Sequence, residues 1–388
     1  MLSAFIGGSD VTSIVQEADS THDLNKTYVA KVKIPVSQMS SFPTGQRLAL
    51  VDPELPGNDL DHHGTIKLVS AASGDDMDGM VELTSFSSRE MWEDRLCRDG
   101  PSDPDDPGNY VTPDFLKRLK KAPLVMQDVL LQSMDGSDPA SGEGTMWQAL
   151  GGFPSDGISL AGVPASFPLS IEALANLFAA TGEFDAVETM TSSGGNLATI
   201  DCYNGNYSGV GGGSYSFSPD GNIRAAVYIS DMTKMKTKIR YLLGPRKTDE
   251  RWGRSIEATN IDIPDNPHFS QGALVSAIMS ARSAYGVRFE VRTYDTFGNE
   301  RSAVPLYWRL WQDESMWRLQ PKIIFKWQAK EGIYPTFDIG AQLGVSWDSN
   351  FMGGGSGTQR AYGRTVRWDV EGVAYLEQIK TSTNGDAL

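Results

Sequence analysis

The residues best able to do chemistry are few, and their spacing works against them. His62 and His63 follow Asp61 and are the only clustered imidazoles, since His22 and His268 lie in other segments. Neighbours on a strand point to opposite faces, so the pair cannot readily share a metal ion, and no zinc or iron site is expected. Asp103, Asp105, Gly108 and Asp114 stand at offsets one, three, six and twelve of a calcium-loop pattern, but Pro107 fills the fifth. A side-chain oxygen is needed there, so the segment reads as a solvated acidic loop. Glycine-rich residues 206–216 and 350–359 lack G-x-x-x-x-G-K-[ST] and open no evident helix, so they read as hairpin tips. Gly354-Gly355-Ser356-Gly357-Thr358 fails the G-x-S-x-G pattern at its last position. With 49 acidic residues some carboxylate pair can always be nominated, so a glycosidase dyad carries no information. No catalytic, cofactor-binding or metal-binding residue is expected.

One charge pattern is ordered. Lys234, Lys236, Lys238 and Arg240 alternate with Met235, Thr237, Ile239 and Tyr241, which predicts a strand with one basic and one mainly apolar face. Gly244-Pro245-Arg246-Lys247, then Arg251 and Arg254, follow it. Two readings stay open: a solvated outer face, or a partner interface for acidic neighbours in an assembly.

The elements that must position these residues are mostly strands. Tyr28, Ala30, Val32 and Ile34 alternate with Val29, Lys31 and Lys33, and residues 27–98 continue as strands separated by turn clusters. Leu48, Leu50, Ile66, Leu68, Val81 and Leu83 are the expected core positions, and residues 73–80 a hairpin turn with Asp78 and Gly79 at its tip. Thr112-Pro113-Asp114 starts a helix. Ser170 caps a second, with Ile171, Leu174, Leu177 and Phe178 on one stripe and Gly182 as its stop. Ser270 opens a third, with Leu274, Ala277, Ile278 and Ala281 periodic before Gly286. Strand text around the helices (NLATIDCY, RAAVYIS, VRFEVRTY, KIIFKWQ) makes the class α+β, mainly β.

Composition bounds the function. The 388 residues carry a net charge of −15, which argues against a free-standing binder of nucleic acid or anionic membrane. Hydrophobic residues at 40% specify a folded chain, while 40 glycines and 20 prolines make it rich in loops. Cys97 and Cys202 are the only cysteines, too few for a disulfide framework or a four-cysteine metal site. The N-terminus has no basic stretch of a cleaved signal, and no apolar run reaches the ~18 residues of a membrane span.

A weak internal repeat is the most informative feature. Phe42, Gly45, Leu48 and Leu50 recur as Phe337, Gly340, Leu343 and Val345. Each set is followed by a strand, Gly64-Thr-Ile66-Lys-Leu68 and Gly363-Arg-Thr-Val366-Arg-Trp368, then by another, Gly79-Met-Val81-Glu-Leu83 and Gly372-Val-Ala-Tyr-Leu376. Two related small β-barrels are expected, with Leu48 matching Leu343 and Ile66 matching Val366.

Three stretches together resemble the baseplate hub or tail-tip minor tail protein of long-tailed, siphovirus-like bacteriophages. They are residues 42–86 leading into MWEDRLC; SIEALANLFAATGEFD followed by PDGNIRAAVYISDMTKMKTKIRYLLGP; and FDIGAQLGVSW with GRTVRWDVEGVAYLEQIKTS. The resemblance covers somewhat over half of the chain and rests on order and spacing. It implies two tail-tube-like barrels with inserted helix-containing domains: a first barrel domain over 1–100, an inserted α+β domain over 101–200, returning or linking strands over 201–265, a second helix-containing insertion over 266–330 and a second barrel domain over 331–388. It also implies a homotrimer whose six barrels adapt a sixfold tail tube to a threefold tip. Its partners would be the distal tail ring, the tape-measure protein and tip or fibre proteins, with DNA only in transit and no membrane insertion. The chain would belong to the virion and assemble in the host cytoplasm. Many relatives carry a cell-wall hydrolase after the second barrel; here only TSTNGDAL follows, so the expectation is a structural protein, not an enzyme. The other readings are a tip-associated cell-wall hydrolase, and a host-glycan receptor module stacking sugars on Trp308, Trp311 or Trp317.

Overall fold

A computed structural model of the chain describes residues 1–53, 60–71, 79–97, 122–134, 148–155, 170–179, 184–191, 196–205, 214–217, 223–243, 254–256, 266, 268–294, 311–312, 314–329, 338–347 and 354–382. The expected helix at Thr112, the acidic loop with Asp103, Asp105, Gly108 and Asp114, and Phe337, Trp308, Arg246, Lys247 and Arg251 lie outside them.

The first repeat comprises β1 (Ser3–Ile6), β2 (Ser9–Asp10), β3 (Glu17–Asp23), β4 (Val29–Pro35), β5 (Arg47–Val51), β6 (Leu60–Ala71) and β7 (Met80–Phe86). After it come α1 (Met91–Asp94), α2 (Ala122–Met134), β8 (Gln148–Leu150), α3 (Ile171–Ala179), β9 (Asp185–Met190) and β10 (Ala198–Tyr203). Next are β11 (Ser214–Phe217), β12 (Ile223–Asp231), β13 (Lys238–Leu243), β14 (Arg254–Ile256), α4 (Gln271–Tyr285) and β15 (Phe289–Tyr294). The chain closes with β16 (Lys322–Ala329), β17 (Gln342–Trp347), β18 (Gly355–Trp368) and β19 (Ala374–Ser382).

The strand order repeats. One 13-stranded sheet runs β12-β16-β19-β18-β3-β4-β7-β6-β5-β1-β2, with β17 on β18 and β11 on β17. Its halves are therefore β3-β4-β7-β6-β5-β1 and β12-β16-β19-β18-β17-β11, the same order twice, fused where β18 pairs antiparallel with β3. The two expected barrels share one continuous sheet. In each half a long strand serves two neighbours: β6 pairs β5 with its first half and β7 with its second, and β18 does the same with β17 and β19.

Matching turns precede both long strands. Gly45 N donates to Ile66 O at 2.7 Å and Gly340 N to Ala361 O at 2.8 Å, with φ of 91° and 90° at the two glycines. Such a φ favours a residue without Cβ, which is why glycine recurs there. Leu48 then lies opposite Gly64, and Leu343 opposite Gln359. Ile66 thus corresponds to Ala361, not to Val366: aligning Gly64 with Gly363 displaces the register by four residues, which alternation alone does not reveal, and matching Ile66 with Val366 displaces it by five. A β-bulge interrupts the ladder after Ile66 in one half and after Ala361 in the other.

Alternation gives the sheet two unlike faces. Ala18, Ala30, Val32, Ile34, Leu48, Leu50, Ile66, Val81 and Leu83 join Phe325, Trp327, Leu343, Val345, Val366, Trp368 and Ile379 in one buried cluster. Leu68 departs from the expected core, being 54% exposed beyond the bulge. β16, expected within the second helical insertion, belongs to this sheet, so the second repeat is discontinuous and begins well before residue 331.

A second core lies under the helices. Val125, Met126, Val129 and Leu130 of α2, Leu174 and Phe178 of α3, and Leu274 and Ile278 of α4 pack with Trp92, Phe184, Ile200, Met235, Ile239 and Trp311. Ser170 Oγ and Ser270 Oγ accept from Ala173 N (3.1 Å) and Ala273 N (3.2 Å), capping α3 and α4. Two three-stranded sheets, β8-β10-β9 and β14-β13-β15, complete this part.

Candidate assembly surfaces and the buried polar seam

The outward face of the large sheet is built from the residues that alternate with the core. Lys31 pairs Glu82 at 3.0 Å, Lys33 pairs Glu17 at 2.7 Å, Arg367 also reaches Glu17, and Lys380 pairs Asp23 at 3.0 Å. Thr21 and Thr365 join their hydroxyls at 3.2 Å across the junction of the two halves. This face presents interleaved charges of both signs. Single exposed pairs contribute little stability, so the lattice matters as a surface more than as a brace.

A polar seam fastens β9 to the large sheet. Arg360 of β18 pairs with Asp185, which also accepts from Asn25 Nδ2 at 2.6 Å, while Asn25 Oδ1 accepts from Ala186 N at 3.0 Å. Glu188, three residues further along β9, accepts from Ser87 Oγ, from Ser88 Oγ (3.0 Å) and from Arg89 N (3.0 Å). The Arg89 guanidinium then reaches Glu172 of α3 at 3.1 Å. Burial pushes both the Asp185 and Glu188 carboxyls above their ordinary range, and the adjoining donors offset it only in part.

The histidines serve packing. His62 Nε2 meets Ser85 Oγ at 3.0 Å inside the sheet, whereas His63 Nδ1 meets the Thr191 carbonyl at 2.7 Å on the β9 side. His22 stacks on Tyr28 with ring centroids 4.2 Å apart, and its Nδ1 faces Arg364, which pairs Asp61 at 2.9 Å. A cavity of about 60 Å³ beside them is lined by His22, Tyr28, Asp61, Glu188, Tyr203 and Arg364. Burial drives the His22 and His62 imidazoles down, His62 to about 3, so both are neutral near pH 7. Among the described residues no group of three His, Cys, Asp or Glu could hold a metal ion. Cys97 and Cys202 are buried free thiols.

The basic segment differs from its expectation in shape. Lys234 sits in a turn and the strand begins only at Lys238, because Met235 N closes a turn onto Met232 O at 3.1 Å. Met235, Thr237 and Ile239 are buried while Lys236, Lys238 and Arg240 are half-buried, so the alternation survives. Lys236 lies 3.9 Å from Glu290, and Lys238 and Arg240 stand over the Phe289 ring at 5.2 and 5.9 Å. Trp311 is buried and donates to Ile239 O at 3.1 Å, so it cannot stack on a sugar. Among the described residues no helix is long and apolar enough to cross a membrane.

The polar seam was not legible in the sequence, because Asp185 and Glu188 are remote along the chain from Ser87 and Arg360. Asn25, with φ of 58°, is the one local signal that could have marked it.

No protein-family model matches the chain, and no curated protein matches it either. Solved structures do. The prophage MuSo2 43 kDa tail protein from Shewanella oneidensis aligns with a TM-score of 0.55 and 11% identity over 100% of this chain and 99% of its own. The tail protein from Neisseria meningitidis MC58 aligns at 0.53 and 10% identity, over 99% and 96%. Prophage tail protein gp18 from Listeria monocytogenes EGD-e aligns at 0.53 and 10% identity, over 99% and 95%. The likeness is one of fold and spans essentially whole chains: this protein has the fold of these tail proteins.

Proposed function

We propose that this chain is a structural baseplate hub at the tip of a phage tail. The observation that carries the reading is the doubled strand order in one sheet, in a chain that shares its whole fold with tail proteins. Two equivalent modules per chain let three copies present six, so a homotrimer adapts the sixfold tail tube and distal tail ring to a threefold tip. The outward, charge-laced face of the sheet lines the channel through which the tape-measure protein and then DNA pass. Tip or fibre proteins attach below, Lys234, Lys236, Lys238 and Arg240 contact an acidic partner, and the protein is assembled in the host cytoplasm into the virion. The role is mechanical and the chain is not an enzyme.

The test is the mass of the full chain in solution, alone and with purified tail tubes. Three times the 42.2 kDa of one copy is expected. A monomer under both conditions overturns the reading.

A further inference from the structure

Besides β2 and β11, which each pair one strand, two edges of the large sheet have no strand beside them among the described residues. One is β12, nine residues long, which pairs only β16; the other is the second half of β6, which beyond Thr65 pairs only β7. Both carry exposed apolar side chains: Val227 (55%) and Ile229 (36%) on β12, and Leu68 (54%) on β6. A long edge of this kind invites another strand.

The internal repeat specifies which strand. In the first half Ser20 faces Ala30, which faces Ser85; in the second Tyr228 faces Phe325, which faces Thr381. β12 is therefore the counterpart of β3, with Thr21 matching Ile229 and Asp23 matching Asp231. The shared bulge fixes the other side, since Leu68, Ser70 and Ala71 follow it as Gly363, Thr365 and Val366 do. Within the chain the fusing junction places Gly363 opposite Asp23, Thr365 opposite Thr21 and Val366 opposite Ser20.

We infer that a second copy of this chain repeats that junction, residues 68–71 of its β6 pairing antiparallel with β12 of the first, Leu68 opposite Asp231, Ser70 opposite Ile229 and Ala71 opposite Tyr228. The inference rests on the homo-oligomeric reading above and gives it an interface and a register. Leu68 then reaches Ile229 on the diagonal, so two exposed apolar side chains cover each other. The contact is head-to-tail. Because it repeats the relation between the two halves of one chain, every module stands to the next by the same rotation, the condition for a closed ring instead of a filament.

Disulfide trapping in the full chain tests the register. Ser70→Cys and Ile229→Cys in one chain are expected to link copies into a covalent ring on mild oxidation, because the matching pair Thr21 and Thr365 brings its hydroxyls to 3.2 Å. Ser70→Cys with Arg224→Cys, displaced along β12 by roughly 17 Å, stays unlinked. Leu68→Asp with Ile229→Asp, both at exposed positions and set beside Asp231 at the junction, leaves each copy folded by circular dichroism and abolishes association. If copies associate but the first pair does not link, or the displaced pair links equally, the register is overturned and the oligomeric reading stands. If the chain is monomeric throughout, even with tail tubes, the hub reading falls and this interface with it.

Discussion

At the scale of the residue, the chemistry of the described titratable groups is that of buried polar groups. The folded protein holds His62 neutral down to about pH 3, whereas the unfolded chain takes up a proton near 6.5. As pH falls between these values the unfolded state alone gains the proton, so stability declines, by about 1.4 kcal/mol per pH unit for each such group. His62→Gln should keep a partner for Ser85 and remove one proton's share of that slope, read as urea midpoints from pH 7.5 to 5. An unchanged slope would contradict the assignment. The Asp185–Arg360 pair makes a larger claim. Arg360→Met strands a buried carboxylate and should cost about 3–5 kcal/mol in chemical denaturation, much of it recovered by adding Asp185→Leu. At this scale the sequence put adjacent His62 and His63 on opposite faces of a strand, and they do point to opposite sides of β6. It could not show that both sides are covered, one by the sheet's core and the other by β9.

At the scale of the element, legibility followed the chemistry of the buried face. Strands β4 and β7 were readable because Val32, Ile34 and Leu83 alternate with polar residues, and β5 from its apolar run Leu48–Val51. β3 was not, since its buried positions are Ala18, Ser20 and His22. Ser20 donates to Asp61 and His22 Nδ1 meets Arg364, so polar residues occupy what alternation reserves for apolar ones. α3 and α4 were announced by their serine caps, while α2 could have been found from Ala122, Val125, Met126, Val129 and Leu130, a stripe at helical spacing. The repeat was visible as composition but not as register, because its fixed points are a bulge and a turn. Those turns make a paired prediction: Gly45→Ala and Gly340→Ala should each cost about 1–2 kcal/mol, the left-handed penalty, and by similar amounts. Thermal midpoints that move for one and not the other would show that the two turns are not equivalent.

At the scale of the whole molecule, the charge of −15 is unevenly expressed. The outward face of the sheet is close to balanced, with Lys31, Lys33, Arg367 and Lys380 each held by Glu82, Glu17 or Asp23. The basic segment, by contrast, lies in the β14-β13-β15 sheet under α4, separate from that face. If the balanced face lines the conduit, duplex DNA meets lysines already paired with carboxylates. Each phosphate contact would have to break an ion pair before releasing a counterion, so the usual gain of cation–phosphate binding is offset and the polymer can slide. The full chain should therefore give no salt-sensitive gel shift with duplex DNA at low ionic strength. Glu17→Gln with Glu82→Gln, which removes the carboxylates paired with Lys31 and Lys33 without touching the core face, should create one that disappears as salt is raised. Tight, salt-sensitive binding by the unaltered chain would mean that the cations are available to phosphate, and that the face grips DNA instead of letting it pass.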